Sequence, residues 1–372
     1  MLSKIFVACI CMAAFLTTTA QDIAVNSNQT ILTESKKAEA EAEEKPAFTI
    51  SGSADVYYRY DAGKTKYNNL TSFTNTHNHF ALGMASIKFE HATKKVNVVA
   101  DLGFGDRARE FTYTDDGITG AIKQLYISYA PAEWIKFSAG SWATHVGYEL
   151  LDPQLNRNYS MSYMFTNGPF SHTGLKTEIT RGKHGLMVGI ANPTDYKLVP
   201  EGSINKKFIL AQYSYAASDN VNVFINYVGG KSPDSAKSEQ VDIVVTSKFS
   251  EQFSIGYNGT IINMHSWDGF KNLEGKSAFG SAVYLNYDPK PWVGLTVRGE
   301  YFDDKNHFKT FSGFGNGGNV FSTTLSANFK KSNFILIPEI RVDKASEQIF
   351  TNSDGEGSKT AASFLVAAIY SF

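Results

Sequence analysis

The residues that could perform catalysis are few and scattered in this chain. Ser171 and His172 are the adjacent pair that we consider as a nucleophile and a base. The surrounding sequence predicts a β-strand, in which neighbouring side chains point to opposite faces, so these two side chains would not meet. The sequence also has no Gly-x-Ser-x-Gly elbow, His-Glu-x-x-His run or phosphate-binding glycine loop. We therefore predict no catalytic residues and no enzyme activity, with a hydrolase at the rim of the fold as the minor alternative.

Metal and cofactor ligands are equally sparse. His77 and His79 flank Asn78, but two imidazoles without a third ligand are more often solvated loop residues than a metal site. Both cysteines, Cys9 and Cys11, lie in a leader-like segment, so the processed chain would carry no thiol for a disulfide or a zinc site. We predict no metal and no cofactor.

Charged residues recur at alternate positions within otherwise apolar segments. Because the side chains of a strand alternate, these charges share one face and the apolar residues share the other. The two signs nearly balance, so they indicate neither an anion nor a cation pathway. They could line an aqueous passage or only solvate it, pairing along the wall as Arg298 with Glu300 and Glu339 with Arg341. The wall residues that we select as pore candidates are Arg59, Lys88, Asp101, Lys248, Arg298, Glu300 and Arg341.

Apolar and polar residues alternate with a period of two from Ala47 to the end of the chain. This alternation places the charged residues on one face of each predicted strand. We count about 16 such segments, the even number expected of a single-chain membrane barrel. Their apolar rows contain no Asp, Glu, Lys or Arg, and a charge facing lipid at mid-membrane would cost about 2–4 kcal/mol. The pattern predicts an all-β transmembrane antiparallel barrel over residues 47–372.

The connections between these segments alternate between short and long. Short ones such as Ala130–Glu133 are followed by long ones such as Val146–Phe170 and His265–Gly275. Short periplasmic turns, long external loops and two periplasmic termini are typical of outer-membrane barrels. Trp134 and Trp292 lie beside short turns, where indole rings favour the membrane–water boundary.

The amino terminus has the features of an export signal. Lys4 precedes the apolar run Ile5–Phe15 and a small-residue site at 18–20, which predicts a cleaved signal peptide over residues 1–20. Residues 21–46 are polar and then acidic, and we expect a periplasmic segment there. The net charge of −1 over 372 residues argues against a nucleic-acid partner.

A barrel of about 16 strands is too wide for side chains to fill, which leaves an aqueous channel. The longest external connection, Val146–Phe170, is rich in aromatic residues and methionines. We expect it to fold into the barrel mouth and narrow the pore, and packing over the rim is the alternative. Glu149, Tyr159 and Tyr163 therefore join the pore candidates.

The segment Gly147–Gly174, with the strand Lys123–Tyr126 before it, resembles the β-barrel porins of the OmpL-like family of Gram-negative bacteria. The arrangement of strands and loops resembles the family over most of the chain, whereas the sequence motif matches only in this middle portion. The resemblance implies an outer-membrane channel for small solutes without an assigned substrate. The positions that would match the family motif are Gly147, Glu149, Asn156, Gly168, Pro169, His172 and Gly174.

The final segment, Thr360–Phe372, resembles the closing strand of bacterial outer-membrane barrels. It is apolar at alternate positions and ends on an aromatic residue. The resemblance implies that Tyr370 and Phe372 form part of the signal that the barrel assembly machinery reads.

The sequence as a whole predicts an outer-membrane porin that lets small hydrophilic solutes diffuse passively. Its partners would be outer-membrane lipids, the assembly machinery and the solutes, and we allow for a homo-oligomer. A structural or surface-binding barrel with a plugged lumen is the second hypothesis. Solute identity, ion selectivity and the state of the lumen stay open at this point.

Overall fold

The computed structural model describes residues 48–372, so the predicted signal peptide, 1–20, and the acidic segment, 21–46, lie outside the described residues. Eighteen strands make up most of this part of the chain. They are β1 (Thr49–Asp61), β2 (His79–Ala92), β3 (Val96–Phe104), β4 (Ile122–Ala132), β5 (Ile135–Ala143), β6 (Ser171–Arg181), β7 (His184–Ala191), β8 (Phe208–Ser218), β9 (Val221–Lys231), β10 (Lys237–Lys248), β11 (Phe253–Trp267), β12 (Asn272–Lys290), β13 (Val293–Asp304), β14 (Gly318–Lys331), β15 (Phe334–Ala345), β16 (Phe350–Thr351), β17 (Gly357–Ser358) and β18 (Thr360–Ser371).

Sixteen of these strands form one closed antiparallel barrel. Each strand from β1 to β15 pairs with its neighbour in the chain, and β18 pairs with both β15 and β1 to close the ring. The closing register aligns Ala54 with Tyr370 and Arg59 with Leu365. Strands β16 and β17, each of two residues, form a separate hairpin within the connection between β15 and β18. The prediction of an antiparallel barrel of about 16 strands is confirmed.

The two faces of the barrel differ as the alternation predicts. Outward residues such as Val56, Leu125 and Ile340 are about half exposed, although they are large and apolar. A continuous exposed apolar surface of this kind is rare on soluble monomers and suits a lipid environment. Trp134 and Trp292 are each 57% exposed beside short turns. Among the described residues, no helix is long and apolar enough to cross a membrane.

The seven connections that follow the even-numbered strands β2 to β14 have two to four residues each and lie at one end of the barrel, here called the short-turn end, where the chain also leaves β18. The opposite end is the long-loop end. Its connections contain two helices, α1 (Asp106–Phe111) and α2 (Tyr163–Asn167). The prediction of a long loop over His265–Gly275 is wrong, because β11 and β12 continue their pairing as far as Trp267 and Asn272. The apolar–polar alternation of the sequence weakens in this segment, but the backbone hydrogen bonds between β11 and β12 continue.

Candidate functional site in the barrel lumen

Residues 144–170, here called the lumen loop, connect β5 to β6 and lie inside the barrel. Near its start, His145 Nε2 is 3.1 Å from the Tyr227 carbonyl oxygen of β9. Two residues later, the Gly147 amide donates to Asp242 of β10 at 3.1 Å. Further along, the Tyr159 hydroxyl donates to Asp55 of β1. The loop therefore spans the lumen from one wall to the other.

Two wall carboxylates hold the backbone of the lumen loop through its amides. Glu339 on β15 accepts hydrogen bonds from the amides of Tyr159 and Ser160, at 2.8 and 3.1 Å. Glu300 on β13 accepts from the amides of Tyr163 and Met164, both at 2.9 Å. The latter two amides open helix α2, and a negative charge is favourable at a helix N-terminus. Hydrogen bonds to a charged group are worth about 1.5–3 kcal/mol each, so these carboxylates fix the loop strongly.

Two wall arginines hold the carbonyl groups of the same stretch. Arg298 on β13 forms an ion pair with Glu149 of the loop and donates to the Ser160 carbonyl at 2.8 Å. Arg341 on β15 donates to the Met161 carbonyl at 2.7 Å. Both arginines are almost fully buried, at 0% and 5% exposure. An arginine buried to this degree needs a carboxylate partner, because an unpaired buried charge costs several kcal/mol.

These contacts correct the predicted pairing along the wall. Arg298 pairs with Glu149 instead of Glu300, and Arg341 pairs with Asp343 instead of Glu339. The physical reason is that both glutamates are occupied by loop amides. The alternation in the sequence identifies the charged wall residues, but it does not identify the backbone groups of the lumen loop that they bind.

Aromatic packing fixes the side of the lumen loop that faces β11 to β13. Tyr148 stacks on Tyr284 with ring centroids 4.1 Å apart. A Cβ added at Gly256 of β11 would lie 2.5 Å from the Tyr148 ring, and one at Gly280 of β12 would overlap Met164. Glycine at these two wall positions is therefore what allows the loop to approach so closely.

The loop also reaches deep towards the short-turn end. Arg157 forms an ion pair with Asp288, only three residues before the β12–β13 turn begins at 291. Its carbonyl accepts from Asn328 of β14 at 2.8 Å. The lumen loop thus occupies most of the depth of the barrel and not only its mouth.

The burial of the inner wall shows how completely the loop fills the middle of the lumen. Every barrel strand contributes an inward residue that is at most 7% exposed, although water would reach these residues in an open channel of this width. They are Asp55, Met84, Asp101, Ser128, Ser138, Lys176, Met187, Gln212, Asn226, Asp242, Asn258, Tyr284, Arg298, Thr324, Glu339 and Leu365.

Two cavities lie between the lumen loop and strands β8 to β11. The larger, of about 400 Å³, opens at the long-loop end. The smaller, of about 10 Å³, lies against Val146, Gly147 and Asp242 and has room for about one water molecule. The loop contacts this side of the barrel through the packing of Val146 against β7 to β9 and through the hydrogen bonds of His145 and Gly147, whereas it binds β13 to β15 through the ionic network. Among the described residues, no ion pair joins the loop to β8 to β11, and the smaller cavity lies on this side.

Comparison with known proteins agrees with this architecture. A family model described as "Putative beta-barrel porin-2, OmpL-like" matches residues 47–372. The chain belongs to this family. The resemblance to OmpL-like porins inferred from the sequence is thereby confirmed. A search of curated proteins gave no match.

Solved structures similar to this OmpL-like porin share its fold at low sequence identity. The outer membrane channel DcaP of Acinetobacter baumannii has a TM-score of 0.59 and 13% identity, covering 89% of this chain and 99% of the other. An anion-selective porin from Comamonas acidovorans has a TM-score of 0.60 and 8% identity, covering 87% and 99%. Outer-membrane-expressed OmpT of Vibrio cholerae has a TM-score of 0.57 and 11% identity, covering 89% and 100%.

The pore candidates of this OmpL-like porin fall into two groups. Six lie at the contact of the lumen loop with its wall: Glu149, Tyr159, Tyr163, Arg298, Glu300 and Arg341. Asp101 reaches the loop indirectly, because it pairs at 3.1 Å with Lys123, which also binds Asp152.

The remaining three candidates lie away from the lumen loop. Arg59 pairs with Asp61 at 2.8 Å and donates to Thr76 in the connection 62–78. Lys88 pairs with Glu90 at 3.1 Å and is about one-third exposed. Lys248 ends β10 beside the short-turn end.

Sequence reasoning missed Arg107, which lies in helix α1 outside the strand pattern. Its guanidinium is buried between the rings of Phe73 and Tyr159, 4.8 and 4.7 Å from their centroids. It donates to the carbonyls of Leu151 and Tyr159 at 3.2 and 3.3 Å. No periodicity marks this residue, because it acts from a long loop that folds inward. Among residues 48–372, no group of three or more His, Cys, Asp or Glu could hold a metal ion.

Asp195 ties the end of the lumen loop to two other long loops. It accepts from the amides of Phe170 and Ser171 at 2.7 and 2.8 Å and from the Tyr113 hydroxyl at 3.1 Å. Desolvation by burial raises the pKa of this carboxyl to about 6, in opposition to the hydrogen bonds that lower it. The folded protein therefore binds the Asp195 proton more tightly than the unfolded chain does.

We expect the stability that Asp195 contributes to fall as the pH rises from about 4 to about 6. In this window the carboxyl is ionised in the unfolded chain and still protonated in the folded one, which corresponds to at most about 3 kcal/mol. The variant Asp195→Asn keeps an acceptor for the two amides and has no titration. Thermal unfolding in detergent at pH 4 and pH 7 should show the wild type losing stability relative to Asp195→Asn. An unchanged difference between the two proteins would contradict the prediction.

Proposed function

We propose that this protein is a non-enzymatic porin through which small hydrophilic solutes diffuse passively. The observation that carries the proposal is a closed 16-stranded barrel, apolar outside and polar inside, with a long loop fixed across its lumen. The family to which the chain belongs supports the same function. Solutes pass between the lumen loop and strands β8 to β11, where both cavities lie and where, among the described residues, no ion pair joins the loop to the wall.

The narrowness of this route limits what the resting conformation admits. A space of about 10 Å³ holds roughly one water molecule, so larger solutes need residues 146–147 and 165–169 to move aside. The ionic contacts with β13 to β15 keep the rest of the loop in place during that movement. This arrangement gives low conductance and a small size limit.

The compartment and the partners belong to the same proposal. Residues 1–20 would be a cleaved signal peptide, and the short-turn end and segment 21–46 would face the periplasm. The outward apolar rows would contact outer-membrane lipids, and Tyr370 and Phe372 would contact the assembly machinery. The trimer form of OmpT of Vibrio cholerae, a fold neighbour at 12% identity, supports a homo-oligomer.

The burial of the inner wall favours a second candidate, a plugged barrel that serves as a scaffold or a binding surface. Hydrolysis has weaker support. The His172 ring is only 1% exposed, with Nε2 3.1 Å from the Thr144 hydroxyl, so it is shielded from the solvent that a hydrolase needs.

Swelling of liposomes that contain the purified protein distinguishes the two candidates. A porin should give swelling with small solutes such as glycerol or glucose and a sharp decline with larger sugars. The same protein in a planar bilayer should give small, ohmic single-channel steps. Absence of both swelling and conductance would overturn the porin proposal in favour of the plugged barrel.

A further inference from the structure

The cavity of about 400 Å³ at the long-loop end has no role yet in the proposed function. Gly168, Pro169 and Gln240 line both this cavity and the small one beneath it. A solute entering from the long-loop end would occupy it immediately before the narrowest part of the route. Its volume is within the range of small-molecule sites.

The charged groups around this cavity are already engaged with the protein. The oxygens of Asp195 accept from two amides and from the Tyr113 hydroxyl. Asp234 accepts from the Ala236 amide at 3.0 Å and is exposed, so solvent and salt screen its charge. Lys309 Nζ donates to the Asn167 carbonyl at 3.0 Å and lies in the attractive field of Asp195. The buried charges of the cavity therefore already have partners in the protein, and its exposed carboxylate is screened by solvent.

The remaining polar groups are neutral amides and hydroxyls, which both donate and accept hydrogen bonds. Aromatic rings complete the wall, and rings can pack against the C–H faces of a sugar while hydroxyls bind at their edges. The exposed lining of the cavity is more polar than apolar, which suits a solute that carries several hydroxyl groups. The neutral lining residues that we use in the argument are Tyr113, Asn167, Tyr196, Phe208, Ser238 and Gln240.

We propose that this cavity is a capture site for neutral polyhydroxylated solutes of the size of a mono- or disaccharide. Its place on the transport route rests on the proposed porin function, whereas binding itself does not require conduction. The site would raise the local concentration of such solutes at the entrance of the narrow passage. Charged solutes of similar size would gain less, because the buried charges of the cavity already have protein partners and the exposed Asp234 is screened by solvent.

The test is ligand binding by the full-length protein in detergent, measured by saturation-transfer NMR with maltose and glucose. Succinate and lysine serve as anionic and cationic probes of comparable or smaller size. Saturable sugar binding should weaken about tenfold in Tyr196→Leu and in Gln240→Leu, which corresponds to about 1.4 kcal/mol. Tyr67→Leu is the matched control, because Tyr67 is an exposed tyrosine of another long loop that does not line the cavity.

The outcomes separate this inference from the porin proposal. Sugar binding without liposome swelling would keep the site and overturn the porin. Swelling without saturable sugar binding would keep the porin and overturn the site. Stronger binding of succinate or lysine than of maltose, or equal sugar binding in all three variants, would also overturn the site.

Discussion

Deletion of Leu151 to Phe165 should raise single-channel conductance several-fold and increase the solute size limit. The deletion removes the backbone groups that Glu300, Glu339, Arg298 and Arg341 hold, and water would then hydrate these charges. The wall should survive, because antiparallel ladders close the barrel without any contribution from the lumen loop. Planar-bilayer conductance and liposome swelling with sugars of increasing size measure the effect.

The matched control removes the exposed tip of another long-loop-end connection. Residues 267–272 form the turn of the β11–β12 hairpin, and all six are exposed. Their deletion should leave conductance unchanged, since no part of this turn enters the lumen. If the lumen-loop deletion folds and has the conductance of the wild type, the loop does not limit the pore. If the deletion conducts and the wild type does not, the loop is a plug.

The barrel could be predicted from the sequence because lipid imposes the same requirement on every strand. Val56 and Ile340 lie on opposite parts of the chain, yet both occupy apolar rows without charges, and both are outward in the structure. The alternation of short and long connections along the chain then indicates at which end of the barrel each connection lies. The hairpin of β11 and β12 escaped this reasoning because its extension beyond the membrane loses the apolar alternation while it keeps the backbone hydrogen bonds.

The contacts within the lumen could not be predicted in the same way. Arg298 and Glu149 are 149 residues apart, and no period relates a wall position to a loop position. The sequence marked both residues as candidates, but their pairing depends on how the loop crosses the lumen. Glu300 and Glu339 bind backbone amides, which carry no signal in the sequence at all. Alternation therefore identifies which wall residues face inward and leaves their partners open.

Removal of Phe372 should reduce insertion into the outer membrane far more than its contacts in the folded barrel account for. Phe372 exchanges two backbone hydrogen bonds of 2.9 Å with Gly52, and its side chain is 59% exposed. Loss of one such ring would cost at most about 3 kcal/mol of apolar burial. The rest of the β1–β18 ladder, from Ser53 to Asp61, would remain. A thermodynamic effect of this size leaves most molecules folded, so a near-complete loss of insertion requires a defect in recognition.

The control that separates recognition from stability is Phe334→Ala. Phe334 is an outward aromatic residue that pairs with Tyr370 at the same end of the barrel and is 42% exposed. The Phe334→Ala substitution therefore removes at least as much apolar contact as the loss of the Phe372 ring does, and it leaves the chain terminus unchanged. The heat-modifiable band on unboiled gels should disappear in the Phe372 deletion and persist in Phe334→Ala and in the inward Ser371→Ala. Equal losses in the two phenylalanine variants would mean that Phe372 acts through packing alone. Normal levels of folded protein in the deletion would remove any role of the terminal residue in assembly.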